Sequence, residues 1–312
     1  MARLPSMRSV TRVLGRRSLF VVAPSLALML GVARTSPAQS ADGAAGAAAR
    51  TPVVASTDPR ARPNVVTVVT REFAFDMPDS LPAGLTTFRL RNAGRQPHHL
   101  MLYRLDAGRQ LPDVHAALSA GGAHPPWMQA VGGPNAVVGD RESVGTLLLL
   151  PGRYVAFCHV KSPDNVLHFE KGMMKLITVV AAPHTAMQRA ITPIAADLHV
   201  TLSDYAFRFS HVPTRGRHRI AVTNRGRQPH EFILSKLLPG RTNADFVHWM
   251  DTQNGLAPVR PYGGATDLPP GGTIVLDIDL EPGRYSVVCR VRDVADGLPH
   301  DRHGMMAQFT VP

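Results

Sequence analysis

The chain repeats itself. Asn92-Ala93-Gly94-Arg95-Gln96-Pro97-His98 returns as Asn224-Arg225-Gly226-Arg227-Gln228-Pro229-His230, and Pro151-Gly152-Arg153-Tyr154 returns as Pro282-Gly283-Arg284-Tyr285. Gly172-Met173-Met174 returns as Gly304-Met305-Met306, and Phe73-Ala74-Phe75 as Tyr205-Ala206-Phe207. The spacings are 132, 131, 132 and 132 residues in the order motif His98, motif Tyr154, motif Met173, motif Phe75. Four motifs at one offset mean a tandem duplication, so whatever one copy folds into, the other must fold into as well.

Each copy reads as a string of short strands. Val65–Thr70 and Leu198–Leu202 open the copies, and Thr87–Arg91 and His218–Val222 alternate apolar with polar residues, the pattern of half-buried strands. Gly145–Leu150 and Thr273–Leu280 follow, each stopped by a Pro-Gly turn, then Tyr154–Cys158 and Tyr285–Cys289. Lys175–Val180 and Ala307–Val311 close the copies. Helical stretches are expected only at Asp113–Ser119 and Ala244–Thr252. With 44% apolar residues, 27 Pro and 26 Gly, the composition supports packed cores joined by many turns, and the pattern predicts an all-β, antiparallel sandwich in each copy. The expected boundaries are 63–181 and 198–312, with a linker at 182–197.

The ends of the chain explain its charge. Residues 1–18 carry Arg3, Arg8, Arg12, Arg16 and Arg17 and no acid; an apolar run from Leu19 to Ala33, interrupted by Pro24, leads into Ser36-Pro37-Ala38-Gln39-Ser40-Ala41. That order is a cleavable export signal over 1–40, too short in its apolar part to span a bilayer, and it predicts a periplasmic or extracellular mature chain with no stable membrane span. Arg16-Arg17-Ser18-Leu19-Phe20 is similar to a twin-arginine signal. Residues 41–62, rich in Ala, Gly, Pro and Thr, read as a flexible linker. The formal charge of +11 owes six arginines to residues 1–40; what remains is 28 basic against 23 acidic residues, scattered and without interleaved aromatics. Nucleic acid is excluded as a partner.

There are two cysteines, one per copy, at the same place in the repeat. Cys158 is followed by His168 and Met173, and Cys289 by His300 and Met305; His98 and His230 lie upstream, at the ends of the matching Pro-His motifs. Each reads blandly when taken alone: a Pro-His as a turn residue, a Gly-Met-Met as core, a buried Cys as inert. A single Cys158–Cys289 disulfide is the alternative for an exported pair. The recurrence of all four residue types in the same order favours a metal. Two imidazoles and a thiolate in a plane with a weak thioether are the donors of a blue-copper electron-transfer site.

With these motifs the chain resembles the cupredoxins, the plastocyanin and azurin group. The Asn-x-Gly…Pro-His approach, the Pro-Gly-x-Tyr turn, the Cys…His-x4-Met loop and the closing apolar strand are all present. The resemblance implies two consecutive cupredoxin-like Greek-key β-sandwiches with short helical insertions. It makes His98, Cys158, His168 and Met173 one copper site, and His230, Cys289, His300 and Met305 the other. It also implies that one imidazole of each site reaches the surface as the electron exit. Two departures stand out. Nine and ten residues separate Cys from His, where single-domain members have two to four; and His99 and Glu231 follow the first histidine where an asparagine is common. His99, His159 and Met174 are rival ligands in the first copy, and His303 and Met306 in the second.

The expected function is single-electron transfer to a redox partner protein, with the oligomeric state left open. Arg95, Arg227, Lys161 and Arg292 near the site loops could receive an acidic partner. A two-domain copper oxidoreductase of nitrite reductase or laccase type is the first alternative. Against it, the chain has no His-x-His, and Phe157 and Val288, not histidines, precede the cysteines. His115, His124 and His248 could still gather between subunits. A cupredoxin-like binding module with no copper site, or a degenerate one, is the second alternative. Catalytic triads, phosphate-cradling glycine loops and paired carboxylates are not visible.

Overall fold

The computed structural model describes residues 63–139, 141–181 and 194–312. The expected export signal, the 41–62 tether and residues 182–193 of the linker lie outside them.

The first repeat contributes β1 (Asn64–Arg71), β2 (Ala74–Asp76), β3 (Ser80–Pro82), β4 (Gly84–Asn92), β5 (Met101–Leu105), α1 (Leu111–Ser119), β6 (Met128–Pro134), β7 (Glu142–Leu149), β8 (Gly152–Phe157) and β9 (Met174–Val180). The second contributes β10 (Leu198–Ser203), β11 (Ala206–Phe209), β12 (Gly216–Asn224), β13 (His230–Leu237), α2 (Asn243–Thr252), β14 (Val259–Leu268), β15 (Thr273–Leu280), β16 (Gly283–Val288), a 3-10 turn at His300–His303 and β17 (Met306–Val311). The protein is mostly β, as expected, and its strands lie in two sheets.

Period-two burial explains the layers. In β4 the residues Thr86, Phe88, Leu90 and Asn92 turn inward; in β15 it is Ile274, Leu276, Ile278 and Leu280. Phe88, Leu90, Leu102 and Leu149 of the first repeat and Leu202, Ile220, Phe232 and Leu276 of the second belong to one apolar core. Each such side chain contributes about 1.5–3 kcal/mol by leaving water. The helices cover smaller cores, α1 with Val114 and Leu118, α2 with Phe246 and Val247. Both begin on reciprocal caps: Asp113 accepts from the Gln110 N–H at 2.8 Å, and Asp245 from the Thr242 N–H at 2.8 Å. No helix among the described residues is long and apolar enough to cross a membrane.

Two features differ from expectation. Pairing is not wholly antiparallel: β1–β4, β10–β12 and β3–β9 run parallel, and in β1–β4 and β3–β9 the chain visits the other sheet between the paired strands. The two copies also share their sheets. One sheet runs β11-β10-β12-β15-β7-β4-β1-β2 and the other β17-β16-β13-β14-β6-β5-β8-β9-β3. The seams are β7–β15, where Gly145 pairs with Leu276, and β6–β14, where Pro134 pairs with Ala265. Both pairs join residues 131 apart, the spacing of the Pro-Gly turns, so each links a residue to its own counterpart. The seam is self-complementary, like the interface of a two-fold dimer.

The Pro-Gly-Arg-Tyr turns owe their recurrence to a tyrosine hydroxyl that bonds backward. Tyr154 Oη donates to the Leu150 carbonyl at 2.7 Å, and Tyr285 Oη to the Glu281 carbonyl at 2.9 Å. These bonds fix the start of β8 and β16, the strands that end at the cysteines.

Candidate metal centres

The repeated Asn-x-Gly-Arg-Gln-Pro-His segment is a loop tied by its asparagine. Asn224 accepts from the Gly226 N–H at 2.8 Å and donates to the carbonyls of Gln228 and Leu268, both at 2.8 Å. Asn92 repeats the pattern with Gly94, Gln96 and Val137 at 2.8, 2.7 and 3.1 Å. The tie delivers His230 and His98 into the interior at a set angle. Glycine at 94 and 226 is required by close approach, since a Cβ there would collide with Glu72 and Asp204 respectively.

The loops after β8 and β16 supply the other donors, and their backbones match bond for bond. Cys158 N–H donates to Met173 O at 3.2 Å, Phe169 N–H to Cys158 O at 3.0 Å, His168 N–H to Val160 O at 2.8 Å and Met173 N–H to His168 O at 2.9 Å. In the second copy Cys289, Asp301, His300 and Met305 make the same four bonds at 3.2, 3.0, 2.9 and 3.0 Å. The long Cys-to-His spacing is thereby absorbed. Bridges Lys161↔Leu167 and Arg292↔Pro299 close each loop into a small hairpin, and the one-residue length difference falls in its tip.

The donors converge. His98, Cys158 and His168 form one group and His230, Cys289 and His300 another, all ligand atoms of each lying within 4.8 Å of one another. His98 Nδ1 stands 3.1 Å from His168 Nδ1, with Cys158 Sγ 3.5 Å from His168 Nδ1. His230 Nδ1 stands 3.0 Å from His300 Nδ1, and Cys289 Sγ lies 3.9 and 3.3 Å from the two. Two nitrogens about 2.0 Å from one ion and a thiolate at about 2.3 Å give separations of this size. A shared proton can bridge one nitrogen pair; a soft cation satisfies both nitrogens and the sulfur at once. The donor set fits copper. Each is a buried set of two imidazoles and one thiol.

No family model matches the sequence, and no curated relative matches it. Among solved structures, reduced auracyanin from Roseiflexus castenholzii is 19% identical over 38% of this chain and 98% of its own, with a TM-score of 0.28. Auracyanin A, a blue copper protein from Chloroflexus aurantiacus, is 22% identical over 38% of this chain and 100% of its own, with a TM-score of 0.28. A copper-containing nitrite reductase from Thermus scotoductus is 15% identical over 80% of this chain and 62% of its own, with a TM-score of 0.22. At identities and TM-scores this low, what the sites can do follows from their own donors.

Two of the outward nitrogens are hydrogen-bonded: His230 Nε2 lies 2.7 Å from Asp204 Oδ1 and His168 Nε2 3.1 Å from Gln96 Oε1. These partners hold the proton on Nε2 and leave Nδ1 free to ligate. The other two are buried without a hydrogen-bond partner and only face a carboxylate, His98 Nε2 at 3.6 Å from Glu72 Oε1 and His300 Nε2 at 3.8 Å from Asp293 Oδ2. These four were absent from the sequence reading, although Glu72 and Asp204 directly precede the repeated Phe73 and Tyr205 motifs.

Burial sets the protonation. It holds the His168 and His300 imidazoles down at about 4, and lowers His98 and His230 as well. It pushes the Cys158 thiol up to about 12 and Cys289 well above its ordinary range. The imidazoles are neutral and ready to ligate near neutral pH, whereas the thiols must lose a proton to do so.

One expectation fails here. All four imidazoles are completely buried, so none is an exposed electron exit. The half-buried ring of Phe73 lies edge-on to His168 at 4.9 Å, and that of Tyr205 edge-on to His300 at 5.2 Å.

The remaining sequence candidates find other places. Met173 and Met305 are fully buried beside the cysteines in the same core. His99 Nε2 accepts the His159 N–H at 2.7 Å, His159 stacks on Phe169 at 5.6 Å, and His303 stacks on Tyr205 at 4.7 Å beside Asp296. Met174 and Met306 open β9 and β17, Met306 being largely exposed. His115 packs near Phe169, His124 against Tyr103, and His248 is an exposed residue of α2. Cys158 and Cys289 are free thiols in separate sites, so the disulfide alternative falls.

Proposed function

We propose that this is an exported electron carrier with two mononuclear type 1 copper sites, His98–Cys158–His168–Met173 and His230–Cys289–His300–Met305. One observation supports it above the others: in each repeat two Nδ1 atoms and one Sγ converge on a buried point, with one Nε2 of each site, His168 and His230, bonded to an outer acceptor. Copper held there supplies a one-electron couple with a covalent thiolate path. The protein residues do the rest. Identical backbone bonds in the two loops hold cysteine and histidine in place, which keeps reorganisation between oxidation states small, and the buried setting excludes water. The buried methionines are placed in this reading as weak axial donors. Phe73 and Tyr205 lie where an electron leaves, and exposed Arg95, Lys161, Arg227 and Arg292 form a basic rim for an acidic redox partner protein.

The test is to add Cu(II) to the purified mature chain and to its Cys158→Ser and Cys289→Ser variants. Intense visible thiolate-to-copper absorption is expected, reduced by about half in each variant and absent from the double variant. A wild type that takes up copper without that absorption sinks the proposal.

A second reading, the copper oxidoreductase, has one observation in its favour. A groove of about 1420 Å³ between α1 and α2 is lined by Tyr103, His124, Glu231 and Asp267, with Tyr103 Oη donating to Asp267. Turnover of nitrite or a phenol by the copper-loaded protein would select it.

A further inference from the structure

We infer that the two sites are redox-inequivalent by construction. The second-repeat site favours Cu(II) and the first-repeat site Cu(I), so that an electron entering the protein settles in the first repeat. The inference rests on the copper reading above. It concerns what surrounds the ligands, not the ligands themselves.

The ligand atoms and the thiolate environment are matched. Cys158 receives backbone N–H groups from His99 and Val160, and Cys289 receives them from the equivalent Glu231 and Val291. What differs is the pair of groups that face the outer imidazole nitrogens. In the first site these are Glu72, 30% exposed and 3.6 Å from His98, and the neutral amide of Gln96. In the second they are two carboxylates. Asp204 is 12% exposed and 2.7 Å from His230, and Asp293 is 3% exposed and 3.8 Å from His300.

The origin of the difference is one residue. The hairpin tips superpose in sequence at Ser162 and Asp293, whose N–H groups make the equivalent turn bonds to Val166 and Leu298. The Ser162 hydroxyl is buried with no partner, so Gln96 reaches past it to His168 directly. Asp293 instead stands between Gln228 and His300, accepting from Gln228 Nε2 at 2.6 Å and from Tyr205 Oη at 2.5 Å. Those two hydrogen bonds favour the carboxylate form at a position only 3% exposed and beside the ligand.

The cations near the second site are themselves paired: Arg290, next to Cys289, holds Asp251 and Asp301, each at 2.7 Å. Asp204 faces Arg227, but that guanidinium is 95% exposed and screened by solvent. On the first side the nearest cation is Lys171, over the Phe73 ring at 4.8 Å and paired to Asp164; its place is taken in the second site by His303, beside Asp296. More negative charge at close range stabilises the higher oxidation state.

The single-site variants carry the test: Cys289→Ser leaves the first site and Cys158→Ser the second. Spectroelectrochemical midpoints, with Cu(I) competition against a chelator as an independent readout, should place the second site lower by at least a tenfold change in the Cu(II)/Cu(I) ratio, ~59 mV. Asp293→Asn should raise the second-site midpoint and Asp293→Glu restore it, while Ser162→Asp should lower the first. Visible copper absorption in both variants with equal midpoints, or with the order reversed, overturns this inference and leaves the copper reading intact. Absence of the absorption from both overturns the two together. Should Asp293→Asn fail to fold, Ser162→Asp decides alone, since its site is not dismantled.

Discussion

Gly145 pairs with Leu276, its own counterpart in the other repeat, at the centre of the seam that joins the two copies into continuous sheets. A Cβ at Gly145 would come within 2.7 Å of Ile274 Cδ1, so the closeness of the two copies depends on the missing side chain. Gly145→Val should destabilise the whole protein by about 1–3 kcal/mol through overpacking. Urea unfolding should keep a single cooperative transition, because both sheets cross the seam. Two transitions in the wild type would show the copies to be independent.

Metal loading should release protons. The free protein holds the Cys158 thiol near 12 and Cys289 well above its ordinary range, with the site imidazoles neutral at pH 7. Copper binding as thiolate therefore expels about one proton per site near neutral pH. Unbuffered titration with a pH electrode measures this, and a ratio near zero would mean that sulfur is not a ligand.

The metal-free protein should weaken in acid. His168, His300 and His159 are held near 4 and His99 near 3 by burial, below their ordinary 6.5. As pH falls from about 6.5 towards about 4, the unfolded chain takes up protons that the folded one refuses, so stability present above that window is lost within it. Melting temperature across the range should drop steadily, and bound copper should delay the drop. A flat profile would contradict the buried, neutral imidazoles.

Asn92 and Asn224 should matter more than their distance from the donors suggests. Asn224→Ala leaves the Gly226 N–H and the carbonyls of Gln228 and Leu268 without partners, at a cost of about 1–3 kcal/mol. Copper affinity should fall in parallel, because His230 follows that loop. Asn224→Asp should not rescue, since a carboxylate cannot donate to the two carbonyls. Wild-type affinity in Asn224→Ala would show that the loop holds itself.

Much of this protein was legible in one dimension. The internal likeness is visible as four motifs at offsets of 131 and 132 residues, two strands as the alternation in Thr87–Arg91 and His218–Val222, and the helices as short stretches found within two residues of their observed starts. The donors His98, Cys158, His168, His230, Cys289 and His300 could be named because a metal site needs particular elements in order, and order survives in a sequence. β6 and β14 were missed: their Gly- and Pro-rich runs, Met128–Pro134 and Val259–Leu268, lack clean alternation, and they are strands because each is paired on both sides. Tertiary structure alone decided the rest. It fused the copies along a self-complementary seam, buried all four imidazoles, and set Asp293 beside His300 where the first repeat has Ser162. These depend on which side chains from distant segments meet, and on how much water remains between them, neither of which is written in the spacing of residues along the chain.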